Sequence, residues 1–336
     1  MVSSSVSGTE PRKVTIHDVA RSAGVSRQTV SRALNDKGEI DGSTKQRVLD
    51  AARALGYRPS RFARGLVRQD TTTIGLVIPD LLNPFFTEVA AAALEAARAR
   101  GWHVVVYDTA DRAEEELGTL QVISSQVDAV VGYFSCSEDE LELFTRGMPV
   151  VLIGREHHSA RFSSIRIDGG EGVRAAVAYL VAQGHTRIGM LDHSGRAEPS
   201  VRHEWFTTAA SSHGLDARMV VAADQSADGG GAALKNLLAA HPDVTAVFTF
   251  NDIIAIGALR EARRLGRSVP RDLAVIGFDG LQLGALIEPP LSSVALDTRR
   301  LGALAIDQVA RLLTCVDPLG ADDLVVRAEL RLSGSA

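Results

Sequence analysis

Arg27, Gln28 and Arg32 fall within one short stretch, SRQTVSRALN, at residues 26–35. A guanidinium and a carboxamide each present two hydrogen-bonding groups in a fixed fork. That fork matches the major-groove edge of guanine (Arg) or of adenine (Gln). Ser26, Thr29, Ser31 and Asn35 interleave with them, and the hydroxyls of Thr15 and Tyr57 flank the segment. Short donors of this kind suit phosphate oxygens. A second set of polar and aromatic residues is spread through the rest of the chain: Asn83, Phe85 and Phe86 in PDLLNPFF, then Arg155, Arg202, Asn251 and Asp279. Carboxylate, amide and arginine with rings nearby suit a polyhydroxylated small molecule. Such side chains fork vicinal hydroxyls, and an aromatic face covers the C–H side of a sugar ring.

The first set needs a helix to display it. Thr15 and Asp18 open a helix, with Asp18 a shorter stand-in for the usual capping-box glutamate. Ile16, Val19, Ala20 and Ala23 share one face of it. Gly24 breaks the run and Val25 plugs the turn. Ser26 is the N-cap of a second helix ending near Leu34, with Val30, Ala33 and Leu34 inward. Two short helices about a glycine turn make a helix-turn-helix. A third helix follows, with Asp41 as N-cap, Val48, Leu49, Ala52 and Leu55 as core face and Gly56 as stop. A small three-helix packing module accounts for the apolar spacing equally well. The donor-rich outer face and the charge favour nucleic acid.

That charge is unevenly placed. The 336 residues carry a formal net charge of −5, but residues 1–70 carry 13 Lys+Arg against 7 Asp+Glu, a net +6, and the remainder is acidic. A basic head on an acidic body suits a polyanionic partner, though charge alone fits a solvated surface as well. The linker SRFARGLVRQ, residues 60–69, is basic and apolar at helical spacing, yet too short for a stable isolated helix. It is expected to order only with partners.

From Thr73 onward, apolar β-rich runs alternate with helical stretches. Strands are expected at Ile74–Ile78, His103–Tyr107, Ala129–Gly132, Val150–Ile153, Ser164–Ile167, Arg187–Leu191, Ala246–Phe250 and Leu273–Gly277. Helices are expected at Phe86–Arg100, Gly172–Gln183 and Ile253–Leu265. This alternation implies parallel sheets covered on both faces. So much chain implies two α/β lobes, with ligands bound outside the carboxyl ends of the strands. Asp168 and Asp252 are read as helix caps.

The head resembles the DNA-binding headpiece of the LacI/GalR family of bacterial transcription regulators, through DVARSAGVSRQTVSRALN and on to Leu55-Gly56-Tyr57-Arg58-Pro59. The body resembles that family's effector domain through NPFF (83–86), DGGEG (168–172), LVAQGHTRIG (180–189), FND (250–252), VIGFDG (275–280) and PPLSSV (289–294). The resemblance implies an α/β protein with an N-terminal three-helix helix-turn-helix headpiece and a two-lobed periplasmic-binding-protein-like effector domain. The division is a flexible tail at 1–13, a DNA-binding domain at 14–59, a hinge helix at 60–70 and an effector-binding and dimerisation domain at 73–334. In the hinge, Leu66 is the implied minor-groove wedge, with Arg61 and Arg64 beside it. Arg202, Asn251 and Asp279 occupy effector-contacting positions. Three departures stand out: Gly154 where many members carry Asp, Trp205 where Gly is usual, and Gly280 in place of a frequent second Asp.

The implied protein is a cytoplasmic homodimer that binds a near-palindromic operator and answers to a sugar or sugar derivative. Neither cofactor, metal, membrane nor catalysis is expected. Cys136 and Cys315 are the only cysteines, no apolar run reaches membrane-span length, and the N-terminus lacks a signal-peptide core. No C-terminal heptad repeat offers a tetramerisation helix. Two other readings compete. GEGVRA (170–175) with Asp192 outlines a dinucleotide fingerprint, which would make the chain a nucleotide-dependent oxidoreductase. The body alone would also fit a sugar-binding transport protein.

Overall fold

A computed structural model describes residues 16–34, 40–55, 71–145, 148–155, 159, 161–194, 199–314 and 323–336. Thr15, Asn35, Tyr57, Arg61, Arg64 and Leu66, with the whole 60–70 linker, lie outside the described residues. The chain divides into two compact units, Met1–Thr71 and Thr72–Ala336.

The first unit is a three-helix head: α1 (Ile16–Ala23), α2 (Arg27–Leu34) and α3 (Gly42–Ala54). Gly24 takes φ +65° after α1, a left-handed conformation that costs glycine little. The N–H of Val25 then reaches back to the carbonyl of Ala20 at 3.1 Å, closing the helix end. Ser26 caps α2 by accepting from the Thr29 N–H at 3.1 Å. Asp41 caps α3 by accepting from the Thr44 N–H at 3.2 Å. Val19, Val30 and Val48 are fully buried at the centre, with Ala20, Ala23, Ala33 and Ala52 around them. One valine from each helix therefore ties the head together.

The second unit contains two six-stranded sheets. β1 (Thr73–Ile78), β2 (His103–Asp108), β3 (Ala129–Gly132), β4 (Val150–Ile153), β5 (Ser163–Asp168) and β11 (Asp323–Arg327) form the first, in the order β11-β5-β4-β3-β1-β2. β6 (Ile188–His193), β7 (Val220–Ala223), β8 (Ala246–Thr249), β9 (Ala274–Asp279), β10 (Ser292–Ala295) and β12 (Glu329–Arg331) form the second, in the order β12-β10-β9-β8-β6-β7. Every pairing is parallel except β10 with β12. The interior strands β1, β3, β4, β8, β9 and β10 are buried along their whole length. That burial is why β1, β3, β4, β8 and β9 read as largely apolar runs, whereas β10, SSVA, does not. HVVVYD of β2 reads the same way but sits at a sheet edge.

The helices of this unit are α4 (Pro84–Ala99), α5 (Ala113–Ile123), α6 (Glu138–Thr145), α7 (Gly170–Ala182), α8 (Val201–Ser212), α9 (Ala227–Ala240), α10 (Asp252–Arg264) and α11 (Thr298–Thr314). α11 packs on α4 and on β3, β4 and β5, whereas α7 packs on β10, β12 and α8. The chain therefore passes between sheets after Asp168, after Leu296 and at Ala328. The Ala328 N–H donates to the Asp168 carbonyl at 2.9 Å, so two of these passages are bonded side by side. One apolar cluster runs from Ile74, Leu76 and Ile78 of the first sheet to Phe248, Ile276 and Phe278 of the second. Each sheet also has a cluster of its own on the opposite face.

Helices α9 and α10 cross backbone against backbone. A Cβ added at Gly230 would lie 2.2 Å from the Ile254 carbonyl oxygen, and one added at Gly257 2.0 Å from that of Ala227. Neither helix can absorb a methyl without separating. Gly257→Ala is therefore expected to lower stability by about 1–3 kcal/mol, the usual cost of overpacking. Urea unfolding with an unchanged m-value checks this.

Candidate functional site

On the head, Arg27, Gln28 and Arg32 are all exposed on α2. Arg27 and Gln28 occupy its first turn and Arg32 its last. Thr29 is half-buried and bonded to Ser26 at 2.9 Å, oxygen to oxygen. Ser31 is half-buried and engaged. Among the described residues, no hydrogen bond or ion pair consumes these three long forked donors on the outer face of α2.

In the body, the structure brings Arg202, Asn251 and Asp279 into one polar cluster at the carboxyl ends of the second sheet. Ser200 starts α8 by accepting from the His203 N–H at 3.1 Å, and its hydroxyl donates to Asp192 at 2.6 Å. That fixes where Arg202 leaves the helix. Its guanidinium carbon lies 3.9 Å from the Phe278 ring centre and 4.4 Å from that of Phe250. One guanidinium nitrogen donates to the Phe250 carbonyl, and another lies 3.3 Å from Asp279. Asn251 caps α10, accepting from the Ile254 N–H at 2.9 Å, while its amide nitrogen donates to Gln225 at 3.2 Å.

Asp279 is held at φ +117°, a strained conformation for a non-glycine residue. The Leu296 N–H donates to its carbonyl at 2.9 Å, and the next N–H, that of Gly280, donates to Ser293. Burial pushes the Asp279 carboxyl up to about 8, with Arg202 pulling it back down and Asp252 and Glu88 adding to the rise. Burial also disfavours the charge on Arg202, which Asp279 and Asp252 then support. Neither half of this pair is comfortable without the other.

Other expectations fare differently. Asn83 is an N-cap, accepting from the Phe85 N–H at 3.1 Å, and Pro84 begins α4. Phe85 is buried in the core, so its ring offers no free face; Phe86 is half-buried and meets Tyr133 edge-on at 5.0 Å. Arg155 donates to the Cys136 carbonyl. Asp252 is the first residue of α10 and not its cap. Its carboxylate accepts from the Ser293 hydroxyl at 2.6 Å and the Leu281 N–H at 2.7 Å, and burial raises it to about 6. Asp168 precedes the capping residue Gly169 and accepts from the Gly170 N–H at 3.1 Å. Sequence reasoning missed Tyr133, whose ring stands beside Gly154, and the bracing pair Phe250 and Phe278. All three follow or end strands, which was the available signal.

The dinucleotide outline at 170–175 fails on topology. Its strand, β5, belongs to the first sheet, while α7 and the next strand, β6, belong to the second. A dinucleotide fold needs strand, helix and strand in one sheet. Gly172 is required for a different reason: a Cβ there would lie 2.7 Å from the Ala328 carbonyl oxygen. Asp192 is occupied with Ser200 and His203.

Residues 15–60 match the family model described as bacterial regulatory proteins, lacI family, and residues 177–331 match a periplasmic binding protein-like domain. The chain is 34% identical over 310 residues to catabolite control protein A of Priestia megaterium, across 90% of this chain and 92% of that one. The chain belongs to the LacI family of bacterial regulators. The CytR repressor of Escherichia coli K12 is 31% identical across 94% of this chain and 96% of its own. A LacI-family regulator from Arthrobacter sp. FB24, solved in complex with lactose, superposes with a TM-score of 0.72 at 32% identity, covering 79% of this chain and 99% of that one.

Within the LacI family the three departures now have physical reasons. Gly154 takes φ +74°, and a Cβ there would lie 3.1 Å from the Tyr133 ring. Gly280 takes φ +75°, and its Cβ would meet that of Ala295 at 2.2 Å. Trp205 stacks on Phe278 at 6.3 Å and packs against Gly169, at the passage between sheets. It braces the ring on which Arg202 rests.

Proposed function

We propose that this LacI-family chain is a cytoplasmic, non-enzymatic repressor that binds a near-palindromic operator as a homodimer and is controlled by a sugar or sugar derivative. The observation that carries the DNA half is the exposed row Arg27, Gln28 and Arg32 on a helix whose other face is locked into the head. The helix enters the major groove with Arg and Gln on base edges, and Ser26, Thr29, Ser31, Asn35, Thr15 and Tyr57 serve the phosphates. Arg61, Arg64 and Leu66 serve the minor groove at the centre of the site. Helices α4 and α10 supply the dimer face, and dimer symmetry is mirrored in the operator.

The ligand half rests on Arg202, Asn251 and Asp279, between two lobes joined by short passages of chain. Relatives of this architecture bind sugars: the Arthrobacter regulator was solved with lactose, and a CelR regulator, 29% identical with a TM-score of 0.70, with cellobiose. A ligand that contacts both lobes favours one lobe arrangement by its differential affinity alone. That arrangement sets the spacing of the paired hinges, and so operator affinity. Among the described residues no helix is long and apolar enough to cross a membrane.

Selection of preferred sites from a random DNA pool tests this reading. The expected product is a palindrome with a fixed central step, whose enrichment falls at higher salt. Arg32→Ala is expected to cost about 1–3 kcal/mol and to relax one base position in each half-site. A uniform loss over all sequences would move Arg32 to the phosphates. Negligible affinity at low salt would end the DNA-binding reading.

A further inference from the structure

The loop that leaves β9 is held by side chains. Three successive N–H groups each donate to one. That of Gly280 goes to the Ser293 hydroxyl at 3.1 Å, that of Leu281 to the Asp252 carboxylate at 2.7 Å and that of Gln282 to the Glu88 carboxylate at 3.2 Å. Ser293 and Asp252 belong with the loop itself to the lobe of the second sheet. Glu88 belongs to α4, on the lobe of the first sheet. Its other oxygen accepts from the Thr298 hydroxyl at 3.2 Å, at the first residue of α11, two residues past a passage of chain between the sheets.

The base of Glu88 is firm. Helices α4 and α11 meet backbone against backbone, and a Cβ added at Gly302 would lie 2.5 Å from the Val89 carbonyl oxygen. A carboxylate on that base cannot follow the second lobe when the lobes turn against each other. Either its bond to Gln282 breaks or the loop is drawn along with the first lobe. The loop begins at Asp279, whose φ of +117° persists only because its surroundings hold it there.

Glu88 also acts on Asp279 through charge. Asp279 faces Arg202 of α8, Asp252 of α10 and Glu88 of α4, with Tyr133 after β3 within electrostatic reach. Burial is the main cause of its rise to about 8, and Glu88 adds to that rise from the first lobe. A ligand held by Arg202, Asn251 and Asp279 alone touches only the second lobe. Equal affinity for two lobe arrangements shifts neither. Control therefore needs a tie between these residues and the first lobe, and Glu88 is one.

We propose that Glu88 is a positioning residue that ties the Asp279 loop to the first lobe, so that the arrangement of the lobes and the grip on effector change together. This rests on the reading of the cleft as the effector site and names a residue that regulates it.

Two substitutions separate the bonds of Glu88 from its charge. Glu88→Ala removes both bonds and suits a helix interior. Glu88→Gln keeps an acceptor oxygen for the Gln282 N–H and removes the charge. The full-length wild type and both variants are compared in operator affinity, in binding of lactose, cellobiose and ribose with and without operator, and in urea midpoints from about pH 6 to pH 9. Circular dichroism checks that the variants are folded. Glu88→Ala is expected to change effector-free operator affinity about tenfold, and to bring the ratio of sugar affinities with and without operator about fivefold nearer to one. In Glu88→Gln, Asp279 ionises more readily in the folded state. The loss of stability that ends near pH 8 in the wild type should then end at a lower pH, so the variant gains on the wild type between about pH 7 and pH 9. A side chain that merely stiffens α4 would lower every midpoint alike and leave the pH profile alone. Unchanged operator affinity in Glu88→Ala, or a pH profile of Glu88→Gln parallel to that of the wild type, overturns the proposal. Failure of all three sugars to bind, with operator affinity and pH profile both shifted, supports the tie and counts against the sugar reading. A wild type that binds no DNA sinks the function proposed above and leaves the pH profile to decide the tie.

Discussion

Arg202→Ala is expected to abolish the response of operator binding to effector and to cost about 1–3 kcal/mol of stability, the usual penalty for leaving buried hydrogen-bonding groups unsatisfied. The magnitude follows from what the guanidinium holds. It lies over two phenyl rings, donates to the Phe250 carbonyl and faces Asp279, and it is only 15% exposed against 3% for its partner. Truncation leaves a buried carboxyl without its cation and a carbonyl without its donor, and both groups then meet a desolvation cost. Arg202→Lys separates the two effects. It keeps a charge near Asp279 but loses the fork, so much of the stability should return while the effector response does not. Thermal unfolding and operator release, measured on both variants, check the pair. Full response in the lysine variant would remove the fork from ligand recognition.

The head was legible because local signals and tertiary structure agree there. Ser26 and Asp41 cap the helices that their positions announce, and Val19, Val30 and Val48 fall on inward faces. In the body, the interior parallel strands announced themselves, because burial on both faces leaves no polar alternation. The elements that stayed hidden are those whose local signal opposes their final state. Edge strand β7 has three of its four residues partly or fully exposed, so its apolar run is short and ambiguous. β10, SSVA, is half serine, and those serines are buried because Ser293 bonds Asp252 while Ser292 bonds the chain terminus through its N–H to Ser335. α9 contains the run Gly229-Gly230-Gly231, which by propensity argues against a helix. Close passage of the Asp224 and Ile254 carbonyls demands Gly229 and Gly230, a cause that lies outside the window. The same holds at the site. The resemblance singled out Arg202, Asn251 and Asp279, which the fold brings to the carboxyl ends of one sheet, while Asn83, like Asn251, also spends its side-chain oxygen on a helix cap. Tyr133 carries no motif; only the fold sets its hydroxyl near the opposite lobe.

Asp279→Asn is expected to flatten the dependence of stability on pH and to abolish the effector response. The wild-type carboxyl titrates near 3.8 when unfolded and is pushed up to about 8 when folded, by burial first. Between those values the folded state holds a proton that the unfolded state has released. Stability from this group is therefore full below about pH 4 and is lost as pH rises toward 8 and beyond. Asparagine has no proton to lose, so the variant should gain on the wild type steadily from pH 5 to pH 8.5. Urea midpoints at three pH values within that window measure the slope. The opposite slope would mean that attraction to Arg202 outweighs burial and that the carboxyl is an ordinary paired anion. The loss of response has a separate origin. The carboxyl can give up or turn its proton so that either oxygen accepts, whereas the amide keeps one acceptor oxygen and fixes the other position as a donor, beside an arginine that also donates. A hydroxyl forked between Arg202 and Asp279 then loses the acceptor for its proton. Because the substitution keeps shape and removes only the titration and one acceptor, stability and response should part company: the fold holds at neutral pH while effector no longer shifts operator affinity.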